Sequence, residues 1–270
     1  MTLIIASATH KAQLLVADRQ VTGADGRILD DSAYKIIQYV NHGQDYQCTV
    51  AYTGLAQVPG QTTLDWLMHI LPTAMDSSTD VYFAIDNLRT TCANELTPRI
   101  QSIPRRYRGI TIVLCGRYNR FGAIGGRREY VPFVAVISNC ADRAGRQVDE
   151  VSDEFSAYSA RLLRPSSSMS LCRGDLRAAT RFLAELRDTF RYLRRDIPHA
   201  AKAKIAAAFI RRVAQESNWT GESILGLALT DPGMAEGFDF SAQTGNVTKT
   251  LPHLLTDGGS RLIDFRVSPL

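Results

Sequence analysis

Thr2 is the residue of this chain whose type and position point first to chemistry. An initiator methionine before a small residue such as threonine is usually removed, which would leave Thr2 with a free α-amine beside its hydroxyl. An α-amine titrates at roughly 7.7 to 8.0 in model peptides, so near neutral pH it can accept the proton that a threonine hydroxyl loses on attacking a carbonyl. Thr2 is therefore a candidate nucleophile that carries its own general base, although a threonine at position two is weak evidence of catalysis by itself.

Three more candidate residues fall at the ends of predicted strands. Short apolar runs predict four strands, at 2–8, 13–17, 34–39 and 49–56. Asp18 directly follows the second strand, Lys35 is the second residue of the third, and Gly54 interrupts the fourth. Taken singly, an Asp after a strand is most often a turn residue, a Lys a solvated charge and a Gly a bend. Only their joint order favours a functional interpretation.

That order resembles the N-terminal-nucleophile hydrolases of the proteasome β-subunit type. In that family the nucleophilic threonine opens a strand, an Asp ends its hairpin partner, a Lys lies on the third strand, and a Thr-Gly pair ends the fourth. Asp18 follows Thr2 by 16 residues, the interval usual in the family, and Lys35 follows it by 33, one more than the commonest. The resemblance implies that Lys35 lowers the pKa of the nucleophilic group, that Asp18 fixes Lys35, and that the Gly54 N–H donates to the oxyanion.

A second match lies near the end of the chain. The segment 219–224 resembles the family's aromatic-Ser-Gly-Gly-Ser motif, and Thr220 would supply the hydroxyl that supports the nucleophile's amine. Three residues earlier the family usually has an Asp, whereas this chain has Ser217. The family also has a supporting serine in the turn after the eighth strand, where this chain reads Leu-Cys-Arg-Gly-Asp at 171–175. The amine-supporting residues therefore depart from the family pattern.

The resemblance implies an α+β fold, a four-layer αββα sandwich of two antiparallel sheets between helical layers, and the remaining sequence fits it. Helical apolar spacing occurs at 63–70, 81–96, 175–195 and 200–215, with the first pair broken near Pro72 and Ser77-Ser78. Further strands are predicted at 110–116, 132–138, 155–163, 168–172 and 223–230. We interpret 1–270 as a single domain, with candidate insertions near 117–130 and 142–153 and an extended C-terminal part from 231.

Several classes of protein are disfavoured. The sequence contains no 18-residue apolar run and no secretory signal pattern, so we expect a cytoplasmic protein without a membrane span. Five cysteines form no CxxC pair and are expected to be reduced core residues. Five scattered histidines lack zinc-site spacing, and no P-loop is present, so neither a metal nor another cofactor is predicted.

The arginines are clustered although the net charge is only +4. Basic spots occur at 105–108, 127–128, 194–195 and 211–212. No nucleic-acid motif accompanies them, so we interpret those on the last two long helices as subunit contacts, with a solvated basic face as the alternative. The family resemblance likewise implies a homo-oligomer, in a ring or a spiral, and a candidate partner in an unfoldase or activator.

The sequence thus predicts a proteasome-like threonine hydrolase that cleaves a peptide or other amide bond through an acyl-enzyme on Thr2 after Met1 removal. Two alternatives remain open at this point. One is a scaffold subunit of the same fold that has lost turnover, which the Ser217 departure would fit. The other is a small-molecule amidase of the same nucleophile class.

Overall fold

The computed structural model describes most of the chain. It covers residues 2–23, 27–41, 46–76, 80–120, 129–142, 146–164, 167–230 and 234–240, together with the backbone of strands at 253–256, 260–262 and 268–269. The strands are β1 (Leu3–Thr9), β2 (Gln13–Asp18), β3 (Val21–Thr22), β4 (Ile28–Asp30), β5 (Ile36–Asn41), β6 (Tyr46–Gly54), β7 (Gln57–Val58), β8 (Gln61–Thr62), β9 (Ile110–Arg120), β10 (Glu129–Ser138), β11 (Ser156–Arg161), β12 (Ser168–Gly174), β13 (Ile224–Thr230), β14 (Met234–Asp239), β15 (His253–Thr256), β16 (Ser260–Leu262) and β17 (Ser268–Pro269). The helices are α1 (Thr63–Met75), α2 (Val81–Thr91), α3 (Thr97–Ile100), α4 (Leu176–Thr180), α5 (Leu183–Leu193) and α6 (His199–Ala214). A π-helical turn, Cys92–Leu96, joins α2 to α3.

Two large sheets form the centre of the molecule. The first has the strand order β12-β1-β2-β13-β14-β17, and the second has the order β11-β10-β9-β6-β5-β15-β16. Their described pairings are antiparallel except β14 with β17 and β5 with β15, which are parallel. The C-terminal strands thus add to an edge of each sheet. Apart from these two parallel pairings, the predicted sandwich of antiparallel sheets is confirmed.

Strand alternation produces the layers. Successive side chains of a strand point to opposite faces. On β1, Leu3 and Ile5 pack against α4, α5 and α6, whereas Ile4 and Ala6 pack between the two sheets. The outer face of the second sheet is covered by α1, α2 and the π-helical turn, with Trp66 fully buried there. The order of layers is therefore helices, sheet, sheet, helices.

The predicted break is wrong at Pro72, because α1 continues through this residue to Met75. Its second predicted position, Ser77-Ser78, lies outside the described residues. An interior proline removes one helical hydrogen bond and costs about 3 kcal/mol. Leu71, Ala74 and Met75 are nevertheless buried against the second sheet. Full burial of a Leu or Met side chain contributes about 1.5 to 3 kcal/mol, so packing on both sides of the proline offsets its cost.

Other boundaries also differ from the sequence-based prediction. The helix predicted at 175–195 is two helices, α4 and α5, separated at Arg181 and Phe182. Strands β9 and β10 extend into the candidate insertion at 117–130, of which residues 121–128 lie outside the described part of the chain. Within the described residues, no helix combines the length and apolar character needed to cross a membrane.

The cysteines lie inside the molecule, as the sequence predicts. Cys140 is half-buried, the other four are buried, and all five are free thiols. Burial raises the pKa of the Cys115 and Cys172 thiols to about 12. These thiols therefore stay protonated near neutral pH and behave as small apolar side chains.

Candidate active site

The candidate site lies where the strands of the two sheets begin and end beside Thr2. The β1–β2 hairpin pairs Ile4 with Ala17, which brings the start of β1 next to the end of β2. Asp18 ends β2 and accepts a hydrogen bond from the Leu3 N–H at 2.6 Å. Strand register alone therefore places this carboxylate one residue from the predicted nucleophile.

Lys35 lies just before β5 and directs its ammonium at Thr2. Its Nζ donates to the Thr2 hydroxyl and to the Gln20 carbonyl, and it lies 3.7 Å from Asp18 Oδ1. Thr2 and Lys35 are each 3% exposed and Asp18 is completely buried. The structure thus brings Thr2, Asp18 and Lys35 together in a water-poor environment, where charges interact more strongly than in solution.

The Asp18 carboxylate is surrounded by donors. Besides Leu3, the main-chain N–H groups of Gln20 and Gly221 donate to its Oδ1, at 3.0 and 3.3 Å. Gly221 follows Thr220 in the chain, so Asp18 connects the β1–β2 hairpin to the segment that precedes β13. Its partners come from both ends of the sequence.

Burial shifts the two ionisable groups in opposite directions. Burial lowers the pKa of Lys35, and the charge of Asp18 opposes that shift. Burial raises the pKa of Asp18, against the lowering effect of Lys35 and of the three N–H donors. Each charge therefore depends on the other, since an unpaired charge in this environment would carry its full desolvation cost.

The main chain of Thr2 is held by Thr53 and Asp175. The Thr53 hydroxyl accepts from the Thr2 nitrogen at 3.1 Å and donates to the Thr2 carbonyl at 2.8 Å. The Asp175 N–H approaches the same carbonyl at 3.3 Å. Thr53 and Asp175 thereby fix the direction in which Thr2 presents its side chain to Lys35.

Two glycines with positive φ lie near the site, Gly174 against Thr2 and Gly54 next to Thr53. Gly174 has φ +103°, and a Cβ there would lie 1.6 Å from the Thr2 carbonyl oxygen. Gly54 has φ +97°, and its Cβ would lie 2.0 Å from the Gly109 carbonyl oxygen. Both positions require glycine, because conformation and space each exclude a side chain. Gly54 directly follows Thr53, and the role of its N–H as an oxyanion donor stays a prediction.

Thr220 belongs to a neighbouring cluster centred on Asp175. Its hydroxyl donates to Asp175 Oδ2 at 3.2 Å, the Ser217 hydroxyl donates to the same oxygen, and the Ala178 N–H donates to Oδ1 at 3.3 Å. Sequence reasoning did not select Asp175. The available signal was its place in the turn after β12, where the family resemblance implies a supporting hydroxyl.

Comparisons with known proteins support the fold. No protein-family model matches the chain, and no curated protein sequence matches it. Among solved structures, the chain is similar to Anbu (ancestral beta-subunit) from Yersinia bercovieri, with a TM-score of 0.54 and 12% sequence identity. The match covers 89% of this chain and 87% of that chain. This likeness supports a proteasome-like fold for nearly the whole chain.

Proposed function

We propose that this protein is a threonine hydrolase that cleaves peptide or other amide bonds through an acyl-enzyme on Thr2. The observation that carries the proposal is the hydrogen bond from buried Lys35 Nζ to the Thr2 hydroxyl, with Asp18 behind the ammonium. A cation against a hydroxyl favours its deprotonated form, which is the attacking nucleophile. The proteasome-like fold is compatible with this chemistry and does not by itself carry it.

The proposed reaction begins once Met1 is removed. The Thr2 amine, directly or through a water, takes the hydroxyl proton as Oγ1 attacks the carbonyl carbon, and the carbonyl electrons move to oxygen. We assign stabilisation of this oxyanion to the Gly54 N–H. The protonated Thr2 amine then gives its proton to the leaving nitrogen as the carbon–nitrogen bond breaks. The amine next deprotonates a water that attacks the ester, which releases the acid and restores Thr2.

The test is replacement of the nucleophile. Thr2→Ala removes the attacking oxygen, so we expect complete loss of hydrolysis of fluorogenic peptides. We expect wild-type protein to lose one Met residue in intact mass and to react covalently with an epoxyketone, which requires a hydroxyl and an adjacent amine. Thr2→Ser is the matched control and should retain reaction with the electrophile. Retained Met1 together with inertness toward peptides and electrophile would favour the scaffold alternative.

The choice between peptides and small amides needs its own measurement. We propose peptides, in line with the resemblance to proteasome subunits, and a cytoplasmic location. A panel of fluorogenic peptides and short acyl amides should show kcat/KM rising with the number of residues that flank the cleaved bond. Highest activity on the shortest amides would favour the amidase alternative instead.

We also propose that the protein is a homo-oligomer that uses the outer faces of α5 and α6. Arginines 187, 191, 194, 211 and 212 are exposed on these helices, beside the apolar side chains of Leu183 and Tyr192, which are 44% and 42% exposed. Arginine and aromatic residues are enriched at protein interfaces. Light scattering after size exclusion should give a mass that is a multiple of 29.8 kDa. A monodisperse monomer at micromolar concentration and physiological salt would exclude the proposed assembly.

A further inference from the structure

Asp175 and Ser217 meet beside Thr2, although they are 42 residues apart in the chain. Asp175 lies in the turn from β12 into α4, and Ser217 follows the end of α6. The Asp175 carboxylate is 4% exposed, and its described partners are two hydroxyls and one main-chain N–H, at Ser217, Thr220 and Ala178. A buried carboxylate with three donors is a fixed acceptor, so it orients the hydroxyls that donate to it.

The orientation of Thr220 follows from these bonds. Its only hydroxyl proton is committed to Asp175, so the oxygen has lone pairs left to accept another hydrogen bond. The Ser217 oxygen already accepts from the Trp219 N–H at 3.1 Å. Ser217 thus has one lone pair left, whereas no described bond uses either lone pair of Thr220, so Thr220 has the greater capacity to accept an additional N–H.

Thr220 is linked to the Thr2 main chain through two acids. The Thr2 nitrogen donates to the Thr53 hydroxyl, and removal of Met1 would give it further N–H groups that need acceptors. The neighbour of Thr220, Gly221, donates to Asp18, which accepts from Leu3, while the Thr220 hydroxyl donates to Asp175, whose N–H approaches the Thr2 carbonyl. Thr220 is thus linked through Asp175, and its neighbour Gly221 through Asp18, to the peptide group between Thr2 and Leu3. It is 2% exposed, so few waters can compete for its lone pairs.

We propose that Asp175 is a positioning residue that fixes Thr220 as the acceptor for the Thr2 amine, with Ser217 as its hydroxyl partner. In this arrangement the acid and the hydroxyl have exchanged places relative to the pattern implied by the resemblance, which puts the acid at 217 and the hydroxyl in the turn after the eighth strand. This inference rests on the proposed function and names the residues that hold its general base. A serine in place of the missing acid at 217 is then a relocation of the acid rather than a loss of the network.

The experiment is a reciprocal exchange. Asp175→Ser removes the carboxylate but keeps a side chain that can cap α4, because serine and aspartate are both favoured at N-caps. Ser217→Asp places a second carboxylate against Asp175. We expect each single variant to lower kcat for a fluorogenic peptide by about a hundredfold, the scale of a misplaced catalytic group, with KM nearly unchanged. We expect the double variant Asp175→Ser/Ser217→Asp to recover kcat to within about tenfold of wild type, since one acid again faces the hydroxyls.

The thermal midpoint of each variant separates positioning from folding. We expect Ser217→Asp to be the least stable, because two buried carboxylates repel, and the double variant to regain stability along with kcat. A double variant that regains stability without kcat would show a structural pairing only and would overturn the positioning role. So would Asp175→Ser with wild-type kcat, and so would a double variant that regains neither property.

The result can be told apart from failure of the proposed function. Wild-type protein that hydrolyses peptides and reacts with the epoxyketone, combined with an unimpaired Asp175→Ser variant, would leave the hydrolase intact and remove Asp175 from it. Wild-type protein inert in both assays would overturn the hydrolase itself, and the role of Asp175 with it. Recovery of the thermal midpoint in the double variant would then indicate only that residues 175 and 217 are paired structurally.

Discussion

Two buried carboxylates flank Thr2, and they are held in different ways. Asp18 is paired with the Lys35 ammonium and accepts three main-chain N–H groups. The described partners of Asp175 are two hydroxyls and one N–H rather than a cation. The first acid lies at a strand end set by β-sheet register, and the second lies in a turn that contacts the segment after α6.

The difference predicts which half of the site tolerates rearrangement. Charge separation across Asp18 and Lys35 needs both residues, because either alone would be an unpaired buried charge. A carboxylate and a hydroxyl joined by a hydrogen bond can instead exchange positions. Whichever residue carries the acid, the hydroxyl still donates to a carboxylate oxygen. We therefore expect changes in the Asp18–Lys35 pair to have larger effects than changes around Asp175.

The largest effect after loss of the nucleophile should come from Lys35→Met, which removes the cation but keeps much of the side-chain volume. We expect turnover to fall by at least about a hundredfold, the scale of a lost electrostatic group. Stability should fall by roughly 3 to 5 kcal/mol, because Asp18 is left buried without its counter-ion. Urea unfolding and peptide hydrolysis measure the two effects separately.

The matched control is the double variant Lys35→Met/Asp18→Asn, which removes both charges. It should regain stability and remain inactive. The pH dependence of the single variant gives a further check. Without Lys35, the pKa of Asp18 in the folded state should rise further above its ordinary value of 3.8, so the folded protein binds more protons than the unfolded chain just above that pH. Stability should therefore increase as pH falls through the raised pKa toward 3.8, and a Lys35→Met variant that loses stability over that interval would contradict the pairing.

A smaller effect is expected from Gly174→Ala, which tests the turn that carries Asp175. The new Cβ would lie 1.6 Å from the Thr2 carbonyl oxygen, so either Thr2 or the turn must move. We expect a loss of stability above the roughly 1 to 2 kcal/mol for a left-handed non-glycine residue, and a lower kcat from the displaced nucleophile. Gly60→Ala is the matched control, since Gly60 has φ +92° but nothing lies within 4 Å of its Cβ position. Equal losses in both variants would show that backbone conformation alone matters at Gly174.

The contrast between the Asp18–Lys35 pair and the contacts of Asp175 also explains what the sequence could predict. Asp18 and Lys35 belong to strand-bounded segments near Thr2, so strand periodicity locates them in the chain. That they meet Thr2 was implied by the family resemblance, through their intervals from Thr2. The sandwich fold was predictable from the same resemblance, and its strands and most helices have clear apolar spacing. The lengths of β9 and β10 were not predictable, because their pairing partners decide them. The continuation of α1 through Pro72 was not predictable either, because tertiary packing decides it.

Asp175 was not predictable from local pattern. Its carboxylate meets hydroxyls 42 and 45 residues away, and neither interval reflects a helix or strand period. An Asp after a strand and before a helix is also the usual N-cap, a role that it fills here toward Ala178. Its role as the N-cap of α4 already accounts for an Asp at this position in the sequence. Its contacts with the hydroxyls of Ser217 and Thr220 are evident only from the three-dimensional arrangement.

The smallest effect should come from Gln147, which lies in the candidate insertion at 142–153. Its side chain accepts from the Gly174 N–H at 3.0 Å and donates to the Gly174 carbonyl at 2.7 Å. These two bonds attach the turn at Gly174 and Asp175 to the segment 142–153. Asp18 needs no such support, because sheet register fixes its position. The segment thus contributes to the site although none of its residues touches Thr2 in the described contacts.

Gln147→Ala should cost about 1 to 3 kcal/mol, because two polar groups of Gly174 lose their partner. We expect kcat to fall severalfold, since the turn loosens while Asp175 and Gly174 stay in place, and KM to change little. Arg177→Ala is the control: it breaks the ion pair to Asp149 in the same segment, but both side chains are more than three-quarters exposed, and such pairs contribute little. If Arg177→Ala lowered kcat as much as Gln147→Ala, general attachment of the segment, rather than the clamp on Gly174, would support the turn. A Gln147→Ala variant that lost stability with an unchanged kcat would show that the turn at Asp175 keeps its geometry unaided, which would make it as independent of its surroundings as the Asp18–Lys35 pair.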